Sequence, residues 1–328
     1  MTAPGPARRG SAGPRSTGVR AVALGGGHGL AATLRALRRV TDDVTAVVAV
    51  SDDGGSSGRL REEFDVVPPG DLRMALSALC GDDTWGRTWS RVVQHRFAGS
   101  GDLAGHSLGN LLITALWEET GDIVTGLDWV GALLGAHGRV LPVATTPLQV
   151  VADVAGLHPE DPSVVERVVG QVQVATTRGQ VVGLRVEPAG TEACPAAVEA
   201  ITDAEAIVLG PGSWFTSVLA PLQVRGIGDA VARSDGRVIV VLNLEAQLGE
   251  TSGFSPQRHL EVLAAQMPGL VVDTVLADPG GVADVGALAA AASALGARLA
   301  LAPVASRDGT PHHDVDLLAS ALGGILTP

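Results

Sequence analysis

Four short segments hold most of the small, polar and charged residues able to do chemistry together: GGGHGL at 25–30, SDDGGSSGR at 51–59, GPGS at 210–213 and NLEAQLGETSG at 243–253. In the first, Gly25, Gly26, Gly27 and Gly29 permit a tight turn whose backbone N–H groups face an anion at a helix amino terminus. Read from Gly27, GHGLAA fits GxGxxA, and Asp52 follows 25 residues later, the spacing of a dinucleotide fingerprint with the acid on a ribose hydroxyl. Glycines placed for helix packing alone would give the same string. In the second segment Gly55, Ser56 and Ser57 offer amides and hydroxyls to phosphate oxygens, and Arg59 offers a bidentate guanidinium. Asp52 or Asp53 can take ribose hydroxyls or magnesium, and a solvated glycine-serine loop is the alternative. Gly210, Gly212 and Ser213 repeat the anion-cradling pattern, and Asn243 opens the fourth segment.

Two further motifs bear on catalysis. PPGD at 68–71 opens a helix and places Asp71 as its N-cap, with a metal-ligand or base role as the alternative. GHSLG at 105–109 matches the GxSxG nucleophile elbow at Ser107, but FAGSGDLA before it is a glycine-bearing loop where that elbow needs a buried strand. A turn in which His106, Ser107 and Asn110 present polar groups to a ligand fits better.

The elements that must position these segments alternate. VRAVAL, the glycine turn, a helix over about 31–40 and VTAVVAV make a βαβ unit whose strands are apolar throughout, as in a parallel sheet covered on both faces. A mostly helical stretch runs from Asp71 to about Ala136 and holds Trp85, Trp89, Trp117 and Trp129. Residues 139–187 read as extended segments (RVLPV, LQVVADV, VVGQVQVAT, VVGLRVEP), a β-rich antiparallel excursion. AIVLG, RVIVVLNL, VVDTVLA and ARLALAPV then restore the alternation. The expected architecture is α/β: one doubly wound, mostly parallel Rossmann-like domain over 19–328, carrying a helical insertion and the β-rich one, behind a disordered tail at 1–18. Ligands in such a sheet bind beyond the carboxyl ends of the strands, where all four segments fall.

The 328 residues carry 35 acidic side chains against 23 basic ones, and every basic one is arginine. Without lysine, a P-loop lysine, a Schiff base and tyrosine-lysine reductase chemistry are excluded, the last also because the chain has no tyrosine. An anion must therefore be held by arginine, backbone amides or a metal. A net charge of -12 argues against nucleic acid or an anionic membrane as the main partner. No apolar run approaches the roughly 18 to 20 residues of a membrane span, so no membrane insertion is expected. Cys80 and Cys194 match no metal or redox spacing, which points to buried thiols in a cytoplasmic protein. The eight histidines show no paired zinc spacing.

Taken in order, GGGHGL, VSDDGGSSGRLR, PPGDLR, QHRF, GHSLGNLL, GPGSWFTSVL and GETSGF resemble the YvcK/CofD-like family of gluconeogenesis factors, from about Val19 to Ala277. The resemblance implies a Rossmann-like fold, binding of a UDP-sugar such as UDP-N-acetylglucosamine, and regulation of carbon metabolism, cell shape and envelope growth. Nucleotide contacts would fall on the first glycine turn, the Asp52 to Arg59 loop and Gly210 to Ser213, with His106, Ser107 and Asn110 completing the cleft. The related 2-phospho-lactate transferase of coenzyme F420 synthesis implies the alternative, a transferase needing Mg2+, held by Asp52, Asp53 or Asp71. Met74, where the family usually has Asn, tilts the reading toward binding over turnover. A dehydrogenase and an esterase rank third and fourth. A homo-oligomer and a regulatory protein partner are compatible with all of these. Because no lysine can substitute for it, replacing Arg59 is expected to cost nucleotide affinity.

Overall fold

The computed structural model describes residues 17–247 and 249–327. The expected tail lies outside the described residues except for Thr17 and Gly18, and the Thr17 N–H already donates to Val40 O at 3.0 Å.

The chain begins with β1 (Ala21–Gly25), α1 (Gly27–Leu37) and β2 (Val44–Val48). Helices α2 (Gly55–Phe64), α3 (Gly70–Leu79), α4 (Thr84–Gln94), α5 (Leu108–Thr120) and α6 (Ile123–Leu134) follow. After β3 (Arg139–Pro142) come β4 (Gln149–Ala155), β5 (Val165–Val169), α7 (Gln171–Ala175) and β6 (Gln180–Glu187). The rest is α8 (Pro195–Thr202), β7 (Ala206–Leu209), a π-helix (Trp214–Leu219), α9 (Ala220–Leu222), α10 (Ile227–Arg233), β8 (Arg237–Val241), α11 (Pro256–Gln266), β9 (Thr274–Ala277), α12 (Val285–Ala294), β10 (Arg298–Leu301) and α13 (Val315–Leu326).

Among the described residues these strands form a seven-stranded parallel sheet in the order β10-β9-β8-β7-β1-β2-β3 and a three-stranded antiparallel sheet in the order β5-β4-β6. Helices on both faces explain why β1, β7 and β9 are buried at every position. Strand order reverses between β1 and β7, and there Leu24 pairs with Leu209, so the two strands end level with each other. The first βα turn and the 210–213 turn therefore open side by side at a topological switch point.

Three expectations shift. The antiparallel excursion starts at β4, because RVLPV instead pairs parallel with β2 at the edge of the main sheet. QVQVA, read as strand, is the helix α7: Gly170 at φ 108 breaks the strand before it, and Asp53 caps its first amides. Helix α1 starts at Gly27, not near Ala31, because the glycine turn is itself the first helical turn. Cys80 and Cys194 are free and buried, and no helix among the described residues is long and apolar enough to cross a membrane.

Candidate functional site

Gly26 stands at the N-cap of α1 in extended conformation and offers no side chain, so the first helical amides must find other acceptors. Gly27 takes φ 61 to close the turn. On the far side, Gly29 abuts the other turn so closely that a Cβ there would run into the Pro211 carbonyl and lie 2.9 Å from Gly212 Cα. Thr33 Oγ1, buried one turn further along α1, donates to Gly210 O at 3.0 Å. Asn243 braces the same loop from just beyond β8: its Oδ1 accepts from Gly212 N–H at 3.0 Å and its Nδ2 donates to Gly212 O at 2.8 Å. Gln247 Nε2 donates to Ser213 Oγ at 3.3 Å. Between these turns and the carboxyl-terminal segment around His312 lies a crevice of about 710 Å³, lined by His28, Gly29, Arg35, Gly212, Asn243 and His312 among others. That volume suits a small-molecule ligand.

Asp71 does not cap its own helix. Pro69 holds the N-cap position of α3, and Asp71 lies in the first turn with its carboxylate against Gly26, taking a hydrogen bond from the Gly27 N–H. It thus engages one amide at the amino terminus of α1, a different helix. Burial, and then the neighbouring Asp52 carboxylate, raise its pKa to about 7. Asp52 accepts from Gly54 N–H at 3.0 Å, and its other oxygen lies 2.6 Å from where a Cβ on Gly70 would sit. The two carboxylates stand together beside the first glycine turn. Asp53 points elsewhere: it accepts from Gln171 and Val172 N–H at 2.8 and 3.1 Å, which commits it to α7.

The remaining expected residues lie outside the crevice lining. Ser56 Oγ receives Asn110 Nδ2 at 3.0 Å and Ser107 N–H at 3.4 Å, and lies 3.0 Å from His106 Nδ1. With two donors already on that oxygen, its own proton goes to His106 Nδ1, which fixes a neutral imidazole protonated at Nε2. Burial lowers the His106 pKa, in keeping with that form. Asn110 also reaches Ser57 Oγ at 3.4 Å and accepts from Arg73 Nε at 2.8 Å. Arg73 is buried, its pKa brought down to about 10 chiefly by that burial, and it also donates to Gln94. Ser107 has no exposure and serves as the N-cap of α5, accepting from Asn110 N–H at 3.3 Å. The elbow reading thus loses its nucleophile. Arg59 is exposed and spends its guanidinium on Asp102 O at 3.2 Å and Ala104 O at 2.8 Å, pinning the loop before His106. Gly55, at φ 48, opens α2 on this same side.

Gly29, Gly212 and Asn243 therefore line the crevice, Gly25, Gly26, Gly27, Gly210 and Ser213 form its turns, and Asp52 and Asp71 flank it. Asp53, Ser56, Ser57, Arg59, His106, Ser107 and Asn110 form a structural network instead. Arg35 and Glu250 are among the residues that escaped the sequence reading. Arg35 lines the crevice from the same helical face as His28 and Ala32, a spacing of four and then three residues that could have revealed it. Glu250, buried behind the 210–213 turn, accepts from Phe215 N–H at 3.3 Å at the start of the π-helix, and burial raises its pKa to about 7. Only its place in the GETSGF string hinted at it.

Residues 21–294 match the family model described as 2-phospho-L-lactate transferase CofD. A protein of Mycobacterium tuberculosis named "Putative gluconeogenesis factor" is 52% identical over 307 residues, covering 93% of this chain and 89% of that one. The "Gluconeogenesis factor" of Listeria monocytogenes is 36% identical over 265 residues, 80% of this chain and 78% of the relative. The crystal structure of a UPF0052 family member from Bacillus halodurans has a TM-score of 0.82 at 31% identity, covering 92% of this chain and 97% of that one.

Proposed function

The chain belongs to the CofD family, and on that premise we propose that it binds a UDP-sugar, with UDP-N-acetylglucosamine the leading case, in the crevice between β1 and β7. We assign it a regulatory role in carbon metabolism, cell shape and envelope growth, in the cytoplasm and through a protein partner that reads the bound state. The relatives named gluconeogenesis factors support the metabolic part. The carrying observation is the crevice of about 710 Å³ at the switch point, where the α1 amino terminus and Gly212 meet. Binding is favoured over turnover because Ser107 has no exposure and His106 is engaged with Ser56. Isothermal titration with UDP-N-acetylglucosamine tests the proposal. Heat with the UDP-sugar supports it, while none with UDP-sugars and clear binding of NAD would sink it.

A magnesium-dependent transferase is the second reading, favoured by the Asp52 and Asp71 pair. Two adjacent carboxylates, one of them desolvated, suit a cation that keeps several waters and takes its remaining ligands from phosphate. Magnesium held by these two residues would neutralise phosphate charge in the crevice. Magnesium-dependent product formation from a nucleotide-activated phospho-acid, lost in Asp71→Asn, supports this reading. Equal inertness of wild type and variant counts against it.

A further inference from the structure

Three arginines mark the carboxyl end of α1, Arg35 in its last turn and Arg38 and Arg39 just beyond it, and they differ in what they touch. Arg38 is paired with Asp82 at 2.5 Å, and Arg39 is paired with Asp316. Arg35 is half-buried in the crevice lining and, among the described residues, has neither a hydrogen bond nor an ion pair. A guanidinium withdrawn from water without an acceptor carries an uncompensated cost. Burial and the neighbouring Arg38 charge both pull its pKa down. His28 and His312 line the same crevice, against a single acid there, Glu245.

Geometry restricts what the charge can meet. Arg35 lies six positions after Gly29, a rise of about 9 Å along the helix. Helical side chains lean back toward the amino terminus, so the guanidinium falls nearer than that to the glycine-turn amides. An anion on those amides leaves Arg35 within reach of a second charged group attached to the first. In a chain without lysine, and with Arg59 occupied by two carbonyls, Arg35 is the arginine that lines the crevice among the described residues.

We infer that Arg35 holds the second phosphate of a nucleoside diphosphate whose first phosphate rests on the α1 amino terminus. The assignment rests on the nucleotide reading above and adds which group discriminates diphosphate from monophosphate.

Calorimetric titration of UMP, UDP and UDP-N-acetylglucosamine into wild type, Arg35→Gln and Arg35→Lys tests it. Arg35→Gln is expected to weaken UDP and the UDP-sugar by roughly tenfold to a hundredfold, the range for losing a charged hydrogen-bonded contact. UMP binding stays near its wild-type value, and Arg35→Lys recovers part of the loss. Thermal melts of the variants should be no lower than wild type, because Arg35 has no partner among the described residues to lose. Equal losses for UMP and UDP, or no loss for either, would overturn the inference. Should wild type bind no uracil nucleotide, the UDP-sugar reading fails by itself. Inorganic pyrophosphate against orthophosphate then decides Arg35: a pyrophosphate preference abolished by Arg35→Gln upholds the inference, and an unchanged ratio overturns it.

Discussion

The loop from Asp52 to Arg59 and the crevice between β1 and β7 are made of the same materials: glycine, hydroxyl or amide side chains, a carboxylate and an arginine. In the loop beyond Asp52 the polar side chains have internal uses. Asp53 caps α7, Ser56 balances two donors against one acceptor, Asn110 bridges Ser56 to Arg73, and Arg59 holds two carbonyls. In the crevice the α1 N-cap offers no side chain, and Arg35 has no partner among the described residues. Polar composition at a strand end does not by itself distinguish a binding surface from a structural knot. The count of satisfied donors and acceptors bears on that distinction: it gives the first region a structural role and leaves ligand affinity in the second as the proposal to be tested.

The sharpest way to break that division is Asn110→Ala. The substitution strips Arg73 Nε of its acceptor and both serines of a donor inside the core. It should cost about 3 kcal/mol, the scale of a lost hydrogen bond to a buried charge, measured by urea unfolding. The folded fraction should bind its ligand as wild type does. Lost affinity at unchanged stability would reassign Asn110 to the site. Gly29→Ala should cost less, about 2 kcal/mol as an overpacking change, but should abolish binding, because the new Cβ meets the Pro211 backbone and forces the two crevice turns apart. Wild-type affinity in a stable Gly29→Ala protein would move the ligand elsewhere.

A graded and smaller effect separates the flanking acids. Asp71 has an ordinary pKa near 3.8 when unfolded and about 7 when folded. Between those values the folded state binds the extra proton, so its contribution to stability is greatest below the lower value and declines as pH rises toward the upper one. Glu250, raised from 4.5 to about 7, acts in the same sense. Thermal melts across this interval should therefore show stability falling as pH increases from these two groups, with Asp71→Asn removing the Asp71 share. Magnesium that restores wild type above neutral pH, and leaves Asp71→Asn unmoved, would strengthen the transferase reading. An unchanged slope in Asp71→Asn would show that the proton is held elsewhere.

How far the sequence carried depended on whether a signal was local. The apolar strands, the βαβ start and the two glycine turns were legible, because hydrophobic run length and glycine position are written in consecutive residues. Asp71 was assigned to the cap of its own helix, since no spacing rule shows that a chain 44 residues away, at Gly27, supplies the amide. QVQVA resembled a strand because a five-residue segment with Val172 and Val174 fits either period, and the deciding cap comes from Asp53 across the fold. Arg59 was selected for its neighbours in sequence, Arg35 passed over for the same reason. Helical periodicity places Arg35 with His28, but which helix face meets the crevice is settled only by the packing of α1 against α3 and α13.

Arg59→Gln is the smallest expected effect and the most direct test of the comparison. Arg59 is exposed, and its two acceptors are backbone carbonyls of a surface loop. Water can replace such bonds, so the loss should stay within about 1 kcal/mol. Nucleotide affinity should be unchanged, against the loss expected from Arg35→Gln. Titrating the two variants in parallel makes the contrast internal, since each removes one positive charge from a chain whose net charge is -12, and long-range electrostatics therefore shift alike. If Arg59→Gln instead loses affinity while Arg35→Gln keeps it, the carbonyls of Asp102 and Ala104 must release the guanidinium when ligand arrives. The loop would then be the binding surface and the crevice its empty neighbour.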